Sequence, residues 1–145
     1  MTSPTNQYDF DSHLAEFYDE HETERNDVAL LRQLIGKDSP LRILEPFCGA
    51  GRLLLPLAED GHELVGIDAA RTMLDRLRQK LTALLAAVRT RVRLIEGDVL
   101  ELEWPSGFDL VILGGNCFYE LASPEEQESC IAKAARSLRP GGRPS

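Results

Sequence analysis

Glycines and carboxylates recur at the ends of this chain's apolar runs. Gly49-Ala50-Gly51 follows the run Leu41–Glu45. Two glycines after a buried strand let the backbone turn sharply and let a ligand approach with no Cβ in the way. A helix starting near Arg52 would add free amides and the positive end of its dipole. Taken alone, the turn serves equally well as a tight strand-to-helix connection that holds nothing. Asp68 comes 17 residues after Gly51, at the tip of the next apolar run. A carboxylate there can accept hydrogen bonds from both hydroxyls of a ribose, or it can cap the helix that begins near Ala70. Asp98 ends a third run. Ionised, it accepts and does not donate, which suits the exocyclic amine of adenine; after Gly97 it is also an ordinary turn residue. Met73 has two readings, against an adenine face or in the core.

The elements that must position these residues follow from periodicity. Four runs read as strands: Leu41–Glu45, Glu63–Ile67, Arg91–Glu96 and Phe108–Leu113. Leu14, Phe17, Tyr18 and His21 follow helical spacing over residues 12–22, and a second helix spans Asp27–Ile35 with Gly36 as its stop. Arg52–Glu59 reads as a helix that Pro56 shortens or kinks. Thr72–Val88 carries the longest apolar stripe: Met73, Leu74, Leu77, Leu81, Leu84, Leu85 and Val88. Ser123-Pro124-Glu125-Glu126 opens a last helix as N-cap, first-turn proline and capping box. Its expected buried face is Ile131, Ala134, Ala135 and Leu138, and it ends at Arg139-Pro140-Gly141-Gly142. Strands alternating with helices imply an α/β fold with a mainly parallel sheet. In such sheets ligands sit beyond the carboxyl ends of the strands. The turns rich in glycine and aspartate all fall on that rim.

Composition excludes several classes of function. The chain has 145 residues, 43% hydrophobic and 28% charged, with a formal net charge of -8. It has no basic run that could track a phosphate backbone, so nucleic acid is not the expected partner. Cys48, Cys117 and Cys130 are scattered with no CxxC pairing, which argues against a metal site and suits a reducing cytoplasm. Met1–Asp11 lacks the pattern of a signal peptide, and no apolar run reaches the length of a membrane span.

In order and spacing, these segments resemble the class I S-adenosylmethionine-dependent methyltransferases. Ile43-Leu44-Glu45-Pro46-Phe47-Cys48-Gly49-Ala50-Gly51-Arg52 is similar to the family's first motif. Val65-Gly66-Ile67-Asp68 with Met73-Leu74 resembles its second strand and the helix after it, and Glu96-Gly97-Asp98-Val99 its adenine-contacting turn. Phe108-Asp109-Leu110-Val111-Ile112 and Leu138-Arg139-Pro140-Gly141-Gly142 complete the series, which covers roughly residues 41–142. The resemblance implies a Rossmann-like three-layer sandwich binding S-adenosyl-L-methionine over residues 41–145; the helical segment over residues 1–40 is read as a lid from its position just before that domain. It implies that Glu45 holds the cofactor's amino group through water. Gly49 and Gly51 would pass beside the methionine part, Asp68 would hold the ribose, and Asp98 with the Val99 amide would read the adenine. Phe47, Cys48, Ala50, Ala69, Met73 and Gly114 complete the implied site.

A dinucleotide is the competing cofactor. Its fingerprint needs a third glycine where this chain has Leu54. Glu45 would also repel a pyrophosphate: two like charges about 4 Å apart at an effective dielectric of 20 cost on the order of 4 kcal/mol. A sulfonium is an activated methyl donor, so direct in-line transfer needs no dedicated catalytic residue. Should the acceptor need deprotonation, His13, His21, Tyr18, Tyr119 and Glu120 are the candidates. Tyr18 is a candidate to cover the cofactor. Asn116, Phe118 and Tyr119 are candidates to line the pocket of a small-molecule acceptor; the Asn-Pro-Pro-Tyr motif of base-methylating enzymes is absent, since both prolines are missing. The chain stops at Arg143-Pro144-Ser145, where relatives continue. The expected sheet therefore lacks the last strands of the usual seven, from the fifth on, and the fourth strand becomes an exposed edge open to self-association. A shortened gene or a fragment is the preferred reading of that ending. A non-catalytic cofactor-binding domain, or a subunit completed by a partner chain, are the alternatives.

Overall fold

A computed structural model describes residues 21–36, 40–113 and 123–140. Four strands, β1 (Arg42–Pro46), β2 (Glu63–Asp68), β3 (Val92–Glu96) and β4 (Leu110–Val111), form one parallel sheet in the order β3-β2-β1-β4. The helices are α1 (His21–Ile35), α2 (Leu54–Glu59), α3 (Arg71–Thr82), α4 (Ala86–Arg89) and α5 (Pro124–Ser137). Successive side chains of a strand point to opposite faces, and here they feed two separate cores. Ile43 and Leu64 join Leu31, Ile35, Leu54, Leu57, Leu74 and Leu77 on one face, while Leu44 and Val65 join Trp104, Phe108, Cys130 and Ala134 on the other. This is the expected three-layer sandwich. It explains why β1 reads as an unbroken apolar run, since both of its faces are covered. Among the described residues no helix is long and apolar enough to cross a membrane.

The structure departs from expectation where tertiary contacts decide. α1 runs unbroken over His21–Ile35, through the expected start at Asp27, and carries Leu31 and Ile35 into the first core. The stripe over residues 72–88 is broken. α3 stops at Thr82, whose hydroxyl donates back to Gln79 O at 2.6 Å, and the chain turns before α4. Leu81 and Val88 are still buried, but Leu85 is 77% exposed at the break. α5 is capped as expected, with Ser123 Oγ accepting from the Glu126 amide at 3.1 Å and Pro124 in the first turn. Its buried face, however, is Cys130, Ala134 and Ser137, and Ile131 is 44% exposed. Ser137 can be buried because its hydroxyl donates to Lys133 O at 2.9 Å within the helix.

The fourth strand is shorter than the run Phe108–Leu113. Only Leu110 and Val111 pair with β1, although the Ile112 amide extends the ladder to Leu44 O at 2.9 Å. Phe108 instead pairs with Leu138 in a parallel bridge, and the Arg139 amide donates to Phe108 O at 2.9 Å. Leu138 thus pairs with a residue ahead of β4, while β4 itself is the edge of the sheet among the described residues, as expected. Asp109 locks this corner. Its carboxylate accepts from the Arg42 amide at 2.9 Å and from Arg139 Nε. Burial alone would raise its pKa, but the Arg42 amide and the Arg139 guanidinium outweigh it, and the carboxyl sits below its ordinary value. Asp109→Ala leaves the Arg42 amide without its acceptor. It is expected to lower the unfolding free energy by about 1–3 kcal/mol, measured by urea denaturation.

Candidate cofactor site

The site grows from the end of β1. After Pro46 the backbone reverses through Phe47, which at φ 61° is the one non-glycine residue with positive φ among the described residues. Left-handed backbone costs roughly 1–2 kcal/mol for a residue with a Cβ. The reversal sends Phe47 against the second core and Cys48 into the first. Gly49 (φ 58°) and Gly51 (φ 88°) continue the turn. Gly51 is required twice over, because a Cβ there would also lie 2.4 Å from Leu77 Cδ1. Among the described residues a Cβ at Gly49 would meet only Met73 Cε, at 3.6 Å, an ordinary van der Waals contact. The outer peptide is fixed by Lys80, whose ammonium donates to Ala50 O at 3.1 Å.

Leu54, in the position of the third glycine of a dinucleotide fingerprint, is fully buried. The close approach of helix to strand is provided by Gly66 on β2 instead: a Cβ there would lie 2.9 Å from Leu54 Cδ1 and 2.7 Å from Cys48 Sγ. A glycine inside a strand often marks such an approach, but sequence reading passed over Gly66. α2 begins at Leu54, two residues later than expected, with Pro56 in its first turn, where a missing N–H does no harm.

Asp68 joins the neighbouring turns. Its Oδ2 accepts from the Gly49 amide and its Oδ1 from the Ala70 amide, both at 2.8 Å. Its carbonyl accepts from the Gly97 amide at 3.0 Å. Asp98 closes its own turn by accepting from the Leu100 amide at 3.0 Å, and Val99 is a core residue whose carbonyl accepts from Trp104 Nε1 at 2.8 Å. Asp98 therefore does the turn work of its alternative reading, whereas Asp68 joins two turns and does not cap α3, whose N-cap Ala70 has no side-chain cap bond. An ionised carboxylate has about four acceptor positions, so neither is exhausted. The geometry brings Glu45, Phe47, Cys48, Gly49, Ala50, Gly51, Asp68, Ala69, Met73, Asp98 and Val99 to the carboxyl edge of the sheet. Gly114, Tyr18, Asn116, Phe118 and Tyr119 lie outside the described residues, as do His13 and Glu120.

Glu45 is the anomaly. It is 4% exposed, and its Oε1 is the one buried side-chain nitrogen or oxygen atom without a hydrogen-bond partner among the described residues. Desolvation pushes its pKa up to about 8, the Asp68 charge adds to the rise, and Arg52 opposes it. A groove of about 250 Å³ between Trp104 and Lys133 offers no comparable feature, because the indole and the ammonium there both donate to backbone carbonyls.

A model of the family described as "Methyltransferase domain" matches residues 43–142, more than half of the chain. The cypemycin N-terminal methyltransferase of Streptomyces sp is 35% identical over 100 residues, covering 69% of this chain and 38% of that protein. The 23S rRNA (uracil(1939)-C(5))-methyltransferase RlmD of Bordetella pertussis is 28% identical over 127 residues, covering 86% and 26%. Among solved structures, the glycopeptide N-methyltransferase MtfA complexed with S-adenosyl-L-methionine superposes with a TM-score of 0.72 at 26% identity, covering 88% of this chain and 54% of that one. The fold is that of a Rossmann-like domain. The chain belongs to the methyltransferase-domain family, within the class I S-adenosylmethionine-dependent methyltransferases. It spans about half the length of MtfA and less of the curated relatives.

Glu45 makes the free fold pH-sensitive in a defined direction. Its folded pKa of about 8 lies above the unfolded value of 4.5, so the folded state resists losing that proton. Stability is full below the unfolded value and falls as pH rises toward 8, by at most about 1.4 kcal/mol per pH unit from this group. Urea unfolding of the ligand-free chain at pH 5, 6.5 and 8 is expected to show this decline, and Glu45→Gln is expected to flatten it.

Proposed function

We propose that this chain is the cofactor-binding unit of an S-adenosylmethionine-dependent methyltransferase that acts on a small-molecule or peptide acceptor by in-line transfer. The observation that carries the reading is the buried Glu45 carboxyl, whose Oε1 has no hydrogen-bond partner among the described residues, near the Gly49 turn. A buried acid of this kind calls for a cationic partner. S-adenosylmethionine provides an ammonium, and it has no phosphate for Glu45 to repel. Asp68 and Asp98 stand along the same rim with acceptor capacity for a ribose and for an adenine amine. Gly49 and Gly51 let the cofactor pass close to the backbone, and Met73 flanks that path.

Bound there, the sulfonium supplies an activated methyl group. The chain's own residues then have to hold and orient the cofactor and exclude water. Residues 1–40 fit the role of a covering segment whose α1 is anchored by Leu31 and Ile35. Tyr18, Asn116, Phe118, Tyr119 and Gly114 remain the acceptor-side and rim candidates. The small-molecule or peptide acceptor is supported by the net charge of -8 and by the names of the peptide and glycopeptide N-methyltransferases the chain resembles. An RNA acceptor is the second reading, favoured by the likeness to RlmD.

Calorimetric titration separates the cofactor readings. S-adenosylhomocysteine is expected to bind saturably, while NAD is expected not to bind. Asp68→Ala is expected to weaken S-adenosylhomocysteine by tenfold or more, as the loss of a charged hydrogen bond is worth about 1.5–3 kcal/mol. Binding of NAD in place of S-adenosylhomocysteine would overturn the assignment.

A further inference from the structure

Resting on the cofactor reading above, we propose that Glu45 is a proton-exchanging specificity residue: it rests protonated in the empty site and gives its proton to solvent when a ligand bearing an α-ammonium enters. The geometry carries this. Glu45 sits on β1 with both faces of the sheet covered, and its Oε1 has no hydrogen-bond partner among the described residues. An ionised carboxylate left in that state would be a buried, uncompensated charge, which proteins avoid by neutralising the group. The charged groups that act on it are Asp68 at the end of β2, which repels a second negative charge, and Arg52 ahead of α2, which offsets part of it. Burial is the largest influence and holds the group protonated at neutral pH.

The exchange balances without a co-reactant. The O–H bond of the Glu45 carboxyl breaks, the proton passes to buffer, and the carboxylate pairs with the ligand's ammonium, directly or through one water. The ligand keeps all its atoms. A desolvated ion pair becomes favourable only when both charges are present and well placed. Ligands that offer the same adenosine but no ammonium therefore have nothing to displace the proton with. Glu45 would thus discriminate between a cofactor that carries its amino-acid tail and a nucleoside that lacks it, and the discrimination would depend on pH. Below the point at which Glu45 ionises in the empty site, each pH unit of increase is expected to tighten tail-bearing ligands by about tenfold.

Isothermal titration of the chain with S-adenosylhomocysteine at pH 7, in phosphate and in Tris, reads the protons exchanged from the difference in apparent enthalpy. Close to one proton released per S-adenosylhomocysteine is expected, against close to none for 5′-methylthioadenosine. The dissociation constant of S-adenosylhomocysteine is expected to fall about tenfold between pH 6 and 7, and that of methylthioadenosine to stay constant. Glu45→Gln keeps a neutral group of the same shape; with a parent-like urea unfolding curve at pH 5, it is expected to bind S-adenosylhomocysteine more weakly and without proton release. Binding of S-adenosylhomocysteine with no proton exchange overturns the proposal and leaves the cofactor reading standing. Equal release from the Gln variant, or from methylthioadenosine, also overturns it. Failure of the parent chain to bind S-adenosylhomocysteine overturns the cofactor reading and the proposal with it.

Discussion

Parallel strands carry no hairpins to align their ends, so something else must hold the loops of a parallel rim in place. Here the carboxylate of Asp68 does much of that. It accepts from the Gly49 amide across the β1 turn and from the Ala70 amide at the start of α3, while its own carbonyl accepts from Gly97 after β3. One residue thus sets the relative height of three turns. Hydrogen bonds to an ionised acceptor are roughly twice as strong as neutral ones, so a carboxylate suits the position better than an amide would. The glycine turn, the adenine-side turn and the helix between them are placed by this one contact set.

Burial makes Glu45 costly, and the Asp68 charge adds to that cost. A second carboxylate, buried under two covered faces and near Asp68, has no good ionised state in the free protein. Phe47, two residues further along the chain, is held in left-handed backbone. Strain and unsatisfied polarity therefore meet within three residues, and both are features that cluster at ligand sites because a stable scaffold elsewhere tolerates them. The scaffold in this case is the pair of cores on either face of β1 and β2. The outer corner is held separately by Asp109, which joins Arg42 and Arg139, and by the Arg42 guanidinium 4.7 Å from the centre of the Phe108 ring.

Much of the layout was legible from local pattern. The alternation of strand and helix, the four strand positions, the Ser123 cap and the Asp68 and Asp98 rim positions all follow from spacing and residue type. The errors fall where a local pattern allowed two outcomes. The stripe from Met73 to Val88 fits one long helix as well as two short ones, and the route back to β3 chose two. The last helix has apolar residues on more than one face, and Ser137 was buried in place of Ile131 because its hydroxyl found a partner inside the helix. The run from Phe108 to Leu113 looks like one strand, yet Phe108 pairs outward to Leu138 and only the middle pairs inward.

The sequence by itself determined the order of elements, the family and the identity of the rim residues, because each depends on near neighbours in the chain: turn glycines, caps and hydrophobic period. Tertiary structure alone decided what those residues are doing before any ligand arrives. Gly66 is needed because Leu54 and Cys48 crowd it from other elements. Asp68 is a latch because Gly49, 19 residues away, comes within 2.8 Å. Glu45 is a buried acid, with its Oε1 unsatisfied among the described residues, because two layers close over it. Burial and electrostatic coupling between distant segments are properties of packing, and no window of local sequence contains them.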